Sequence, residues 1–323
     1  MMRMLIGAIM LATLVQAYGD TEGAQTMAEQ APRTVEVPWH IYRHYPADFE
    51  AGPAAARGFI GWDSEVRKLD LDHTALLLMH LPDAGLTPDT QFGPDARRPD
   101  LLGTVEWVPR TAAMITGPLP GLVQAARAAG LQVVHVQPSR LYQTGPCWER
   151  SVAEAGERPP DDPEKLEPTG LLAAHKREVF DLAARPEGSP EHEWGMPEVL
   201  MPQGDDLIAG ETWMLHRLMA RRGITHLVYC GWAINWCLWF SSGGMCDMNR
   251  KGYLCSAVRG GCVAIENRES AETEGNLEYA MWKTAVMFGY VFEIGELTEG
   301  LQTAAIGNRQ QAIGDGAVDG GAE

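Results

Sequence analysis

Basic side chains are in short supply. Lys and Arg together number 26 against 43 Asp and Glu, a formal net charge of -17, and no basic cluster or interleaved basic and aromatic stripe offsets it. Such a surface repels phosphate backbones, which argues against nucleic acid as a partner. Cysteine is scarce as well. Cys147, Cys230, Cys237, Cys246, Cys255 and Cys262 are too few for a disulfide scaffold, and their spacings miss the paired CxxC pattern of structural zinc. The GxSxG, HExxH, GxGxxG and P-loop patterns are all missing, so the chain lacks the usual signatures of serine hydrolases, zincins and nucleotide-binding enzymes. No internal repeat is visible, and no apolar run after the N-terminus has the length of a membrane span.

What is present is enough apolar material for a large core. With 45% hydrophobic residues, a chain of 323 fits one α/β domain with extensions better than two independent domains. The first residues, MMRMLIGAIMLATLVQA, place Arg3 before an apolar run from Leu5 to Val15 and small or branched residues at a cleavage point. Residues 1–17 therefore read as a signal peptide, with a mistaken start or an uncleaved anchor as the other reading, and a cleaved product is expected to be exported with no membrane segment. Residues 18–70 read as a small, polar leader followed by an irregular arm rich in aromatics (Trp39, Tyr42, Tyr45, Phe49, Phe59, Trp62), suited to packing on the domain or on a second copy of the chain.

The domain itself is placed at 71–302. TALLLM (Thr74–Met79) is a continuous apolar run closed by His80 and a Pro82, Asp83, Gly85 turn cluster, the pattern of a strand buried on both faces. A long loop is expected to about Arg110, then a helix over 120–129 ended by Gly130 and a strand over 131–136. Residues 139–203 turn polar and proline-rich, an extended surface excursion. A short strand over 206–209, a helix over 211–222 capped by Gly223, a strand over 225–231, two strand pieces (253–258 and 262–265), a helix over 271–288 and a last strand over 290–294 follow. The Gly- and Ala-rich tail, 303–323, reads as disordered. Strands alternating with helices give a mainly parallel sheet covered on both faces, a three-layer α/β/α sandwich.

The stretch with the most chemistry is LVYCGWAINWCLWFSSGGMCDMNRKGY, Leu227 to Tyr253: a buried strand, a sharp turn, and a helix whose first turn carries Cys237. A thiol placed there meets amides that favour its thiolate. Trp232, Trp236, Trp239 and Phe240 surround it, either as core and interface filler or as walls of a pocket for a flat, apolar or cationic substrate. Ser241-Ser242-Gly243-Gly244 is expected to break the helix, since interior glycines cost about 1 kcal/mol each. Cys230, Cys255 and Cys262 read as small apolar residues buried in strands.

Taken in order, TALLLM, LVQAARAAGLQVVHV, QGDDLIAGET, RGITHLVYCG, the Cys230-Gly231-Trp232-Ala233-Ile234-Asn235-Trp236-Cys237 segment, Gly252-Tyr253 and the acidic Glu266 resemble the isochorismatase-like cysteine hydrolases over roughly residues 74–297. The resemblance implies the three-layer sandwich, Cys237 as nucleophile on a small amide-like substrate, a cis peptide before Ala233, and an oxyanion hole made by the amides of Ala233 and Cys237. It implies no cofactor; some amidases of the family hold zinc, but their DxH spacing is missing here and no metal is expected. Homo-oligomers are the family habit. Two departures stand out. His80 occupies the position of the family's catalytic Asp, and Gly210 that of its Lys. His80 is thus either the base for Cys237, with Asp83 as orienter and Asn235 in support, or a hydrogen-bonded strand-end residue in a pocket without chemistry. A replacement cation would come from Arg140, His192 or a neighbouring subunit. The alternative function is a non-catalytic member that binds a ligand in the same pocket or serves in an assembly.

Overall fold

The computed structural model describes residues 33–43, 60–83, 102–136, 143–160 and 195–318, with isolated positions at 50, 58, 86, 174, 175 and 179. Among the described residues eight strands form one sheet in the order β2-β1-β8-β7-β6-β3-β4-β5. They are β1 (Thr34–Arg43), β2 (Gly61–Asp70), β3 (Thr74–Met79), β4 (Gln132–Val136), β5 (Leu207–Ala209), β6 (His226–Trp232), β7 (Leu254–Val263) and β8 (Val291–Glu293). From β8 to β5 all neighbours are parallel, and β1 and β2 add an antiparallel flank.

The helices are α1 (Leu102–Thr116), α2 (Leu119–Ala129), α3 (Gly145–Ala155), α4 (Thr212–Arg221), α5 (Cys237–Phe240), α6 (Met245–Arg250), α7 (Gly275–Met287) and α8 (Ile294–Val318). They divide between the two faces of the sheet. Side chains alternate along a strand, so β3 sends Leu76 and Leu78 into a cluster with α1, α2 and α8, and Ala75, Leu77 and Met79 into another with α4, α6 and α7. Every residue of β3 is buried. That two-sided burial is why the run shows no alternation in sequence, and each leucine withdrawn from water contributes about 1.5–3 kcal/mol before entropy is counted. The fold is therefore the expected three-layer α/β/α sandwich with a mainly parallel sheet.

Several boundaries differ from the sequence reading. The arm expected to be irregular contains a ten-residue antiparallel pair, Thr34↔Asp70 through Arg43↔Gly61, which extends the sheet. Pro38 hid it, because proline removes a ladder donor; β1 tolerates the loss because it meets β8 at His40↔Val291 alone. The loop expected before Arg110 holds most of α1, masked by Pro109 inside the helix. Within the polar excursion lies α3, whose buried face is Cys147, Ser151 and Ala155. The two strand pieces around Gly260 are one strand, β7, in which Gly260 takes φ 81° and the pairing with β6 shifts register between Tyr229 and Gly231.

The tail expected to be disordered is helical to Val318. Leu297, Leu301 and Ala305 are buried at helical spacing, Gly300 fits against Val37, and the Asn308 amide donates to the Ala129 carbonyl. The signal-peptide reading of residues 1–17 falls outside the described residues. Among the described residues no helix is long and apolar enough to cross a membrane.

Candidate active site

Cys237 reaches the carboxyl edge of the sheet because β6 ends at Trp232 and the chain turns at once into α5. Gly231 makes the exit possible. Its φ is 139°, and a Cβ there would lie 1.9 Å from the Met79 carbonyl oxygen, so β3 and β6 touch backbone to backbone at this point. The Trp232–Ala233 peptide is cis, as the resemblance implied.

The turn is held by its own main chain and by Asn235. The amides of Trp236 and Leu238 both donate to the Ala233 carbonyl at 3.0 Å, and that of Ile234 donates to Val263. Asn235 donates from Nδ2 to the Ile265 carbonyl (2.8 Å) and accepts from the Ile265 amide at Oδ1 (3.0 Å). The support foreseen for Asn235 is thus given to the backbone of the neighbouring segment. Glu266 follows directly, buried, and its two carboxylate oxygens accept from the Asn276 and Leu277 amides at 2.9 Å, closing the first turn of α7. Among the described residues, the amides of Ala233 and Cys237 donate to no protein acceptor.

Cys237 is half-buried and lines an open depression of about 480 Å³ with Asn235, Trp236, Phe240 and Ser241. The other strand cysteines are a different population. Burial pushes the Cys230 thiol well up and those of Cys255 and Cys262 up to about 12.

His80 closes β3, the strand paired with β6 through Met79↔Gly231, and so emerges at the same sheet edge as the Cys237 turn. Its φ of 52° puts it in the left-handed region, uncommon for a residue with a side chain. Among the described residues its Nε2 is buried without a hydrogen-bond partner, and burial lowers its pKa to about 4. The ring is neutral at pH 7 and has one nitrogen unengaged. Asp83 does not hydrogen-bond that ring; its amide donates to the Gly195 carbonyl at 2.9 Å, and its carboxylate lies against Gly195.

No family model and no curated protein matches the chain. Solved structures do. The chain is similar to a cysteine hydrolase from Pseudomonas syringae pv. phaseolicola, with 18% identity over 73% of this chain and 95% of that one and a TM-score of 0.45. An isochorismatase family protein from Burkholderia thailandensis shows 17% identity over 72% and 96%, with a TM-score of 0.40. N-carbamoylsarcosine amidase from Thermoplasma acidophilum shows 14% identity over 69% and 97%, with a TM-score of 0.35. The likeness is one of architecture, at identities that say nothing of substrate.

The aromatic residues around Cys237 separate by role. Trp236 is 43% and Phe240 69% exposed, and both wall the Cys237 depression. Trp239 belongs to the core instead: it is 7% exposed, donates from Nε1 to Thr284 Oγ1 at 3.2 Å and packs against Phe288. Trp232 stacks on Trp107 with ring centroids 4.0 Å apart, so α1 covers it. Trp107 is not legible in the sequence, because Pro109 makes the helix that carries it look like loop. Arg110 was likewise passed over, although its Nη2 donates to the Ala264 carbonyl at 3.3 Å, one residue before the segment that Asn235 holds.

The helix break at 241–244 is present and is bolted to α4. Ser242 Oγ accepts from the Thr212 amide at 2.7 Å, Thr212 Oγ1 accepts from the Gly243 amide at 2.7 Å, and the same hydroxyl donates to Asp247 at 2.6 Å. Gly210 lies after β5 and lines a separate cavity. Arg140 and His192 are outside the described residues. Among the described residues no group of three or more His, Cys, Asp or Glu could hold a metal ion.

Proposed function

We propose that the protein is a hydrolase of isochorismatase-like fold in which Cys237 attacks a small amide-like carbonyl. The observation that carries this is the placement of one half-exposed thiol at the carboxyl edge of a parallel sheet, with the Ala233 and Cys237 amides unspent, beside the strand that ends in His80. Ligands of open α/β sheets bind at that edge.

In the proposed reaction the thiol proton passes to His80 Nε2 as Sγ bonds to the carbonyl carbon. The oxyanion is met by the two amides, each contributing roughly 3–4 kcal/mol to the transition state. Collapse breaks the C–N bond, and the amine leaves with the proton from His80. Water then opens the thioester, giving the acid and restoring the thiol. An imidazole held near a pKa of 4 is a weak base at rest; in the proposed reaction the negative charge developing on sulfur as the proton leaves favours the imidazolium. Trp236 and Phe240 supply the apolar walls of the substrate depression. Export on residues 1–17 and self-association complete the proposal.

Iodoacetamide labelling across pH, read by mass spectrometry, tests it. Fast modification of Cys237 at pH 6, slowed in His80→Gln, is the expected result. A thiol that titrates near its free value of about 8.5 in both proteins would favour the alternative, a ligand-binding member with the same fold.

A further inference from the structure

β2 ends the sheet. Among the described residues its one strand neighbour is β1, so the N–H and C=O groups along its other edge pair with no strand. The pairing with β1 runs from Thr34↔Asp70 to Arg43↔Gly61 without a register shift, and β2 contains no proline. The bulges and prolines that blunt an edge are thus missing from it, and a long regular edge of this kind is a template for one more strand.

The side chains on that edge show which strand fits. Asp63, Glu65, Arg67 and Leu69 share one face, where Leu69 enters the core and Glu65 accepts from Arg67 at 2.6 Å and from Arg43. Trp62, Ser64, Val66 and Lys68 share the other face and are all exposed, Val66 at 66%. Two identical edges can meet antiparallel about a two-fold axis, which then passes through one residue and its copy. Centring the axis on Ser64 sets Asp63 opposite Glu65; on Glu65 it brings two carboxylates together, and on Arg67 two guanidiniums. Like charges directly opposite are destabilising. Centring it on Val66 sets Val66 against Val66, Glu65 against Arg67 on both sides of the axis, and Ser64 against Lys68. That register carries the Arg43, Glu65 and Arg67 row of each copy into the other and covers the most exposed apolar side chain of the strand. The strand's own charges nearly cancel, Asp63, Glu65 and Asp70 against Arg67 and Lys68, so the contact avoids most of the repulsion expected of a chain with net charge -17.

We propose that the protein forms a two-fold dimer by antiparallel pairing of β2 with β2 of a second copy, in register about Val66, joining the two sheets edge to edge. The proposal rests on the self-association put forward above, to which it gives a surface, and is independent of the chemistry at Cys237.

Sedimentation velocity of the full chain over a range of concentrations tests it, with a dimer as the expected result. Val66→Lys, a change at an exposed position, sets two ammonium groups at the axis. It should weaken the dimer at least tenfold while the circular dichroism and the urea midpoint stay unchanged. A dimer equally tight in Val66→Lys overturns the proposal and leaves self-association to another surface; a wild-type chain that stays monomeric overturns both. Oxidative cross-linking reads the register. Val66→Cys is expected to link to itself, since opposed Cα atoms lie about 4.5–5.5 Å apart, within disulfide reach. Ser64→Cys alone should not link to itself, its two copies lying about 14 Å apart along the strands, whereas a mixture of Ser64→Cys and Lys68→Cys chains should cross-link. Peptide mapping separates these links from any made by the half-buried Cys237 and Cys246. A dimer in which Val66→Cys fails to link, or in which Ser64→Cys links to itself, overturns the proposed pairing.

Discussion

Six free thiols in one chain allow a sharp contrast. Cys230, Cys255 and Cys262 are buried with thiols pushed up, and Cys147 is buried as well, whereas Cys237 is half-exposed. Cys246 is as half-buried as Cys237, and burial raises its thiol. Native protein treated briefly with iodoacetamide at pH 8 should carry one adduct, at Cys237, with Cys246 following slowly; peptide mapping reads this directly, and early label on Cys230 or Cys262 would mean the sheet opens. Glu266 offers a second residue-level case. Its carboxylate takes two amides at the start of α7, so Glu266→Ala strands both donors and should cost about 1–2 kcal/mol in urea unfolding. From sequence Glu266 was recognised only by its likeness to a family position. Its capping role was hidden because its partners lie ten and eleven residues on, past a turn that no spacing rule anticipates.

At the scale of elements, two predictions follow from contacts between pieces distant in the chain. Thr212 ties the break at 241–244 to α4 through two hydrogen bonds of its hydroxyl, to Gly243 and Asp247. Thr212→Val should lower stability by about 2 kcal/mol, seen as a lower urea midpoint with unchanged slope. Ending the chain at Gln302 removes buried Ala305 and the Asn308 bond to α2, and should cost about 1–3 kcal/mol, whereas loss of a disordered tail would cost nothing. The strands in the middle of the sheet were legible because burial on both faces forces continuous apolar runs. The outer elements were not. β2 reads GWDSEVRKLD, in which Leu69 alone is buried, and α8 mixes Gly with Ala so that its weak pattern acquires meaning only against α2 and β1.

The whole molecule should be acid-sensitive. His80, His135 and His226 are all lowered by burial, to about 4 for His80 and about 3 for His226. In the unfolded chain such imidazoles bind a proton near pH 6.5, which the native state refuses until far lower. Stability is therefore intact above pH 6.5 and falls as pH drops toward 4, by about 1.4 kcal/mol per pH unit for each such histidine. Asp206 and Glu154, whose carboxylates are held below their ordinary range by hydrogen bonds to His135 and Arg127 and to Arg222, add a loss in the same direction as they protonate at still lower pH. Urea unfolding at pH 7.5, 6 and 5 checks the sign; a flat profile would contradict the burial of these rings. The net charge of -17 adds a second global expectation, that moderate salt raises the melting temperature at neutral pH by screening self-repulsion.

Sequence alone determined the α/β class, the parallel centre of the sheet and the cysteine at the end of β6, because hydrophobic runs of strand length and a Gly-led turn are local properties that survive without their surroundings. Tertiary structure decided what those features face. It separated Trp236 and Phe240, at the depression, from Trp239 in the core; it turned an irregular arm into two strands and a loose tail into a helix; and it left His80 Nε2 without a partner among the described residues. These outcomes depend on which surfaces meet across tens or hundreds of residues, and contact across such separations is fixed by packing rather than by any periodicity in the chain.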